Sequence, residues 1–393
     1  MGGWDLILEM LMAGSVVSKY WGVYLNQFFE LIDWNINTNI AIGSFNFDLA
    51  PVIIVAFFTA LLVMGTKIGA RVDGALTILK IAIVVFIVVV GFFYIKAENF
   101  TPFIPPSEPA VSTDGSGVSA VMEQPLWQWA TGMAPSIYGV TGIISGAALV
   151  FFAFLGFDVV ATASEETINP KKNVPLGIGV GLGLIIVLYT LVAIVTTGMV
   201  SYKDLAKQSD PSLAVAFKMV GADWAAKIIS LGIVIGMATV VMVLLLGLTR
   251  VVFAMSRDGL LPRGLSHTGK HGTPVRLQII VGVVMALIAA CCNVGILSDM
   301  VNIGTLSAFT LVAISIPIMR KKRPDLERSF KIPGNPWVPI LIALANLWLM
   351  VNLSVLTWIR FVVWLIVGFA IYVCYGCRHA RLGAGELEVA AQE

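Results

Sequence analysis

Lys80 is an isolated charge in an apolar run, Gly74-Ala-Leu-Thr-Ile-Leu-Lys80-Ile-Ala-Ile-Val-Val-Phe. If that run crosses a bilayer, a lysine deep within it costs about 2.5–3.5 kcal/mol on insertion scales. Three readings of such a residue stay open: a side chain snorkelling to the membrane edge, a proton-accepting group, or a fixed ammonium standing where a sodium ion would bind. A second run with chemical potential is Phe152-Ala-Phe-Leu-Gly-Phe157, followed directly by Asp158. Glycine alone there would be a packing contact. Glycine beside an intramembrane aspartate and flanked by aromatics is what a broken helix needs. Its released carbonyls can accept hydrogen bonds from a ligand ammonium without any charged side chain. Further on, Glu165, Glu166, Lys171 and Lys172 surround Pro170 and precede Pro175. They read first as a solvated helix end, and alternatively as a charged gate.

Other chemistries find little support. Gly177, Gly179, Gly181 and Gly183 follow no strand, so they are not a dinucleotide fingerprint; small-xxx-small spacing points to close helix packing. Cys374-x2-Cys377 beside His379 lacks a second ligand pair for a metal, and Cys291, Cys292, Cys374 and Cys377 read as buried thiols. The three histidines, His267, His271 and His379, form no Ser/His/Asp or HExxH arrangement. The chain reads as a non-enzyme that needs no cofactor or metal.

These residues must be positioned by helices. Of 393 residues, 58% are hydrophobic and only 12% charged. Soluble domains carry about 25% charged residues, and mean hydropathy here is +0.92. A net charge of +2 excludes a nucleic-acid binder. The chain is expected to be an all-α polytopic membrane protein with ten candidate spans near 6–29, 49–66, 73–95, 139–162, 176–199, 228–250, 277–296, 301–319, 337–354 and 359–377. The first is the least apolar, because Asp5, Glu9 and Lys19 interrupt it, which suggests a helix shielded from lipid by its neighbours. Basic residues cluster in alternate connections, such as Lys67 and Arg71, Arg250 to Arg276, and Arg320 to Lys331. The positive-inside rule then places both termini in the cytoplasm. The stretch from Ala97 to Tyr138, rich in Pro, Ser and Gly, reads as an irregular external loop.

The run Phe-Leu-Gly156-Phe-Asp158-(x6)-Glu165-Glu166-x-x-Asn169-Pro170-x-x-Asn-Val-Pro175 resembles the signature of amino acid permeases of the amino acid–polyamine–organocation superfamily, the cationic amino acid transporter branch most of all. Blocks in the same order agree: Gly3-Trp4-Asp5-Leu-Ile-Leu-Glu9, Thr249-Arg250-x5-Ser256-Arg257-Asp258-Gly-Leu-Leu-Pro262, Asn302-Ile-Gly-Thr-Leu306-x-Ala-Phe309 and Arg320-Lys-Lys-Arg-Pro-Asp325. The resemblance implies a LeuT-type inverted-repeat transporter fold, with Gly3-Trp4-Asp5 opening the family's third helix, so the chain is expected to be N-terminally truncated at about ten transmembrane helices. Residues 4–95 would be three helices of the first repeat, 139–319 the second repeat, 337–377 two further helices and 378–393 a cytoplasmic tail. It also implies a secondary active symporter of the plasma or inner membrane, moving a cationic or small neutral amino acid together with a proton by alternating access. A truncated, non-transporting fragment or an interaction subunit is the alternative. By the same resemblance Phe152, Ala153, Phe154, Leu155, Gly156 and Phe157 look like the unwound stretch that takes the substrate ammonium, with Asp158 after it. Met237 matches a pocket-lining position, and Lys80, Thr239 and Glu9 look like the proton-coupling residues.

Overall fold

A computed structural model describes residues 2–34, 38–42, 45–65, 70–109, 121–134, 136–157, 167–208, 211–267, 274–325, 332 and 334–379, with only the backbone described for 39–42, 45–46, 70–73, 137 and 378. Its long helices are α1 (Gly2–Leu31), α2 (Leu49–Val63), α3 (Ala70–Phe92), α4 (Gly139–Val150), α5 (Pro170–Met199), α6 (Asp223–Arg257), α7 (Val275–Cys291), α8 (Val294–Lys322), α9 (Trp337–Val351) and α10 (Val355–Ile371). Among the described residues, six helical stretches are long and apolar enough to cross a membrane: Gly2–Leu31, Gly74–Phe92, Pro170–Met199, Asp223–Arg257, Val294–Lys322 and Val355–Gly376. The apolar stretches Leu49–Val63, Gly139–Phe154, Val275–Cys291 and Trp337–Val351 are shorter.

The charged first span is the centre of the molecule. In α1, Asp5 is 1% exposed and Glu9 is fully buried, as are Leu8, Ala13 and Val16. A helix buried nearly all round must be enclosed by others, and α2, α6, α7 and α8 all pack on it. Lys19 ends in a hydrogen bond rather than in lipid: its Nζ donates to the Cys292 carbonyl at the end of α7, 2.5 Å away. That carbonyl is one of those a helix C-terminus leaves without an intrahelical partner, and a cation there also meets the negative end of the helix dipole.

Close packing of the helices uses glycine as a socket. Gly14 of α1 receives Met285 of α7, Gly304 of α8 receives Leu8, and Gly368 of α10 receives Trp4. On α6, Gly232 and Gly236 lie one turn apart and receive Ile83 and Lys80 of α3. Membrane helices associate this way because lipid competes equally for apolar side chains, which leaves close contact as the main source of attraction. Gly177, Gly179, Gly181 and Gly183 correct the sequence expectation, for a Cβ added at any of them would meet nothing within 4 Å. The i,i+4 pairs Gly177/Gly181 and Gly179/Gly183 could each line a seam, but α5 turns most of this stretch outward, with Leu176, Val180 and Leu184 exposed. The thiols also differ from expectation: Cys291, Cys374 and Cys377 are exposed and Cys292 is half-buried.

Contacts divide the bundle into two ends. At one, Trp4 stacks on Trp364 with ring centroids 4.4 Å apart, close to Met255, Leu260 and Tyr372. At the other, the Tyr24 hydroxyl accepts from Leu213 N, and the Trp127 indole donates to Asn352 Oδ1 at 2.9 Å. Between α1 and α2 lies a hairpin absent from the sequence reading, β1 (Asn39–Ile42) against β2 (Phe45–Asp48). Asp48 closes it and caps α2 by accepting from Ala50 N. In the stretch before α4 the described residues include short helical segments at Ala97–Phe100 and Leu126–Thr131, and β3 (Glu108–Pro109) pairs there with β4 (Ser136–Ile137).

Candidate functional site

The break in the fourth span begins after Val150. Phe151 N still accepts the i+4 pattern, donating to the Ala147 carbonyl. From Phe151 to Phe154 the chain then tightens to a 3-10 turn, in which Leu155 N donates to the Phe152 carbonyl. Leu155 turns extended at φ −61°, ψ 147°, and Gly156 follows at φ +118°. That conformation is open to glycine and costly for a residue with a Cβ. The six residues singled out from sequence, Phe152 to Phe157, therefore form an interrupted stretch of backbone in an otherwise apolar helix. Asp158, like Glu165 and Glu166, lies outside the described residues.

Two neighbouring helices hold the break. Tyr189 of α5 donates its hydroxyl to the Ala153 carbonyl at 2.9 Å, and its ring meets Phe154 edge-on at 5.4 Å. Asn302 of α8 donates Nδ2 to the Leu149 carbonyl at 3.0 Å. Two turns further along α8, Phe309 contacts Phe157 at 5.1 Å and Phe151 at 6.0 Å. Phe152 and Leu155 pack on the core formed by α1, α2, α6, α7 and α8. All of Phe151 to Phe157 are half-buried. Two carbonyls of the stretch already accept from protein donors, that of Phe152 from Leu155 N and that of Ala153 from Tyr189.

Lys80 of α3 packs on α6. Its aliphatic stem lies over Gly236, where an added Cβ would stand 3.2 Å from Lys80 Cγ. The next residue, Met237, packs between the core around α1 and a second apolar cluster of α3, α5 and α6. Thr239 is buried, and its hydroxyl donates to the Gly236 carbonyl at 2.9 Å. Lys80 thus packs on the turn of α6 that carries Met237 and Thr239. Glu9 sits on the α1 face it shares with Asp5 and Met12 by helical spacing. Met12 packs on the cluster that includes Leu8 and Ala148 and on the α1 core as well, and Phe151 belongs to the former. The face of α1 that carries Glu9 therefore borders the broken helix and α8 through Met12.

Tyr189, Asn302 and Phe309 carry much of the geometry and were not singled out as site residues; Asn302 and Phe309 figured only within a resembling block. The available signal was type against setting, since a buried amide and a mid-span hydroxyl are expensive in lipid unless bonded. Among the described residues no group of His, Cys, Asp or Glu is arranged to hold a metal ion.

The sequence that builds this arrangement has relatives among known proteins. Residues 5–376 match the amino acid permease family. The chain belongs to that family. It is similar to the branched-chain amino acid permease BcaP of Bacillus subtilis, 39% identical over 97% of this chain and 76% of that protein. It is similar also to the methylthioribose transporter of the same organism, 38% identical over 97% of this chain and 76% of that protein. The mitochondrial cationic amino acid transporter 3 of Arabidopsis thaliana is 33% identical, over 83% of this chain and 50% of its own length. Family and relatives are transporters rather than enzymes, and their membership, with the apolar helices, makes this permease a multi-pass membrane protein.

Proposed function

We propose that this permease is a secondary active transporter that carries an amino acid across the cell membrane together with a proton, by alternating access. The observation that supports it best is the interrupted helix from Phe151 to Gly156, in a chain of the amino acid permease family. A free amino acid brings an ammonium and a carboxylate into the membrane. Unpaired ions there cost several kcal/mol, whereas backbone carbonyls at a helix break accept from the ammonium at fixed positions. The aromatic and aliphatic side chains of Phe152, Leu155, Met237 and Phe309 supply apolar walls, while Glu9 and Asp158 offer acidic groups suited to a cationic side chain. The substrate class proposed is a cationic or small neutral amino acid.

In this reading Lys80 carries the coupled proton. Its ammonium would interact with the Gly236–Thr239 turn in one protonation state and release it in the other, so the equilibrium between outward- and inward-open states follows the proton. The fold proposed is the LeuT-type inverted repeat, with ten crossings, 139–319 as the second repeat and both ends of the chain in the cytoplasm.

The test is uptake of radiolabelled alanine and arginine by cells or proteoliposomes containing the full chain, with and without an imposed inward proton gradient. Uptake of at least one of them, stimulated by the gradient and abolished by a protonophore, is expected. Absence of uptake of any amino acid, with folded protein in the membrane, would sink the reading in favour of a non-transporting membrane subunit.

A further inference from the structure

Asn302 stands where α4 stops being an α-helix. The change from i+4 to i+3 pairing at Phe151 takes the Ala153 amide of a continuing helix away from the Leu149 carbonyl, which leaves a lone pair free to accept from the Asn302 side chain. The side chain has it, at 3.0 Å. Asn302 is fully buried, and its Oδ1 has no hydrogen-bond partner among the described residues. A leucine would fill a similar volume without leaving a polar atom unsatisfied, a condition that is costly in protein interiors. An asparagine kept there at that cost is kept for its donor.

The carrier of this donor is rigid. Ile303 and Leu306 beside it are fully buried, Gly304 lets Leu8 of α1 close upon α8, and Phe309 bears on Phe151 and Phe157 at the far side of the break. One face of α8 therefore touches the interruption on both sides. If the Leu149 carbonyl were returned to Ala153, α-helical pairing would extend by a residue. Each residue added to an α-helix turns the chain by about 100°, so every carbonyl beyond Phe151 would point elsewhere.

We propose that Asn302 is a positioning residue of the substrate site: by holding the Leu149 carbonyl it determines where the helix opens, and so where the carbonyls of Phe152 to Phe157 point. The proposal rests on reading that stretch as the amino acid site, and two measurements keep the failures apart. The first is the concentration dependence of uptake in the full-length permease and in Asn302→Leu. A rise of KM by about three- to tenfold is expected from one lost hydrogen bond, with kcat nearly unchanged, and recovery in Asn302→His, which restores an N–H donor. A role in folding alone would lower the amount of protein and leave KM where it was. The second measurement is hydrogen–deuterium exchange over residues 147–157 in nanodiscs, where Asn302→Leu is expected to slow the Ala153 amide as the helix extends. Unchanged KM in the variant overturns the proposal, and so does unchanged exchange. If the wild type transports no amino acid, the transport reading fails and exchange alone decides the positioning role. Asn302→Ala serves as a second variant, and loss of folded protein in both would also overturn it, since positioning requires that the fold survive.

Discussion

Lys80, Gly236 and Thr239 show how far single residues could be read. The isolated lysine was visible in the sequence as a cost without a stated return. That its stem crosses a glycine one turn from a buried threonine hydroxyl depended on the α3–α6 crossing, which no local pattern encodes. Lys80→Ala is expected to flatten the pH dependence of uptake, measured as initial rates across about pH 5–8, the range in which proton-coupled groups must change charge to act; an equally steep profile would remove the proton role of Lys80. Lys203 provides the control. It lies outside the spans, its Nζ is 2.7 Å from Glu108 Oε1, and that hydrogen bond raises its pKa above the ordinary lysine value. A raised lysine pKa contributes stability below the unfolded value that is lost only as pH climbs through the folded one, so Lys203 keeps its charge through neutrality. Lys203→Met is expected to leave the shape of the pH profile intact between about pH 6 and 8. At the break, Tyr189→Phe removes the donor to the Ala153 carbonyl. Its expected effect is a rise in KM of about three- to tenfold, read from the same uptake curves.

Elements meet in this molecule through sockets rather than through amphipathic stripes. Gly232 accommodates Ile83 of α3, so Gly232→Val should force the two helices apart at a cost of about 1–3 kcal/mol, typical of overpacking. A drop in the thermal midpoint of the purified protein in detergent would register it, and an unchanged midpoint would mean that α3 is free to shift. Helix ends are legible by rule where a cap is local. Asp48 precedes α2 and bonds its Ala50 amide, and Asp48→Ala is expected to cost about 1 kcal/mol by loss of that cap, seen in the same melting experiment. The glycines of α5 mark the limit of such reading, because spacing alone did not reveal which helix would stand in the middle and which at the edge.

For the whole molecule the open question is orientation, and the two ends defined by Trp4 and by Tyr24 make it testable. With the basic connections in the cytoplasm, a cysteine replacing Lys203 is expected to react with a membrane-impermeant maleimide in intact cells. One replacing Lys321 is expected to react only after permeabilisation. The reverse pattern would invert the proposed topology. Placing α1, the least apolar of the helices read as spans, at the centre explains why its charges are tolerated. Asp5 and Glu9 are buried against protein, and Lys19 is bonded to α7.

The sequence by itself determined the membrane class, the approximate positions of the helices and the place where the fourth of them breaks. These depend on composition, on runs of apolar residues and on the freedom of a single glycine, all of them properties of neighbours along the chain. Only the tertiary structure decided that α1 is central, that α5 carries its glycines outward, and that Asn302, Tyr189 and Phe309 hold the break open. Those outcomes depend on which helix faces which. In a bilayer, where lipid satisfies an apolar surface as well as protein does, hydrophobic pattern cannot make that choice; close contact and hydrogen bonds between distant residues make it.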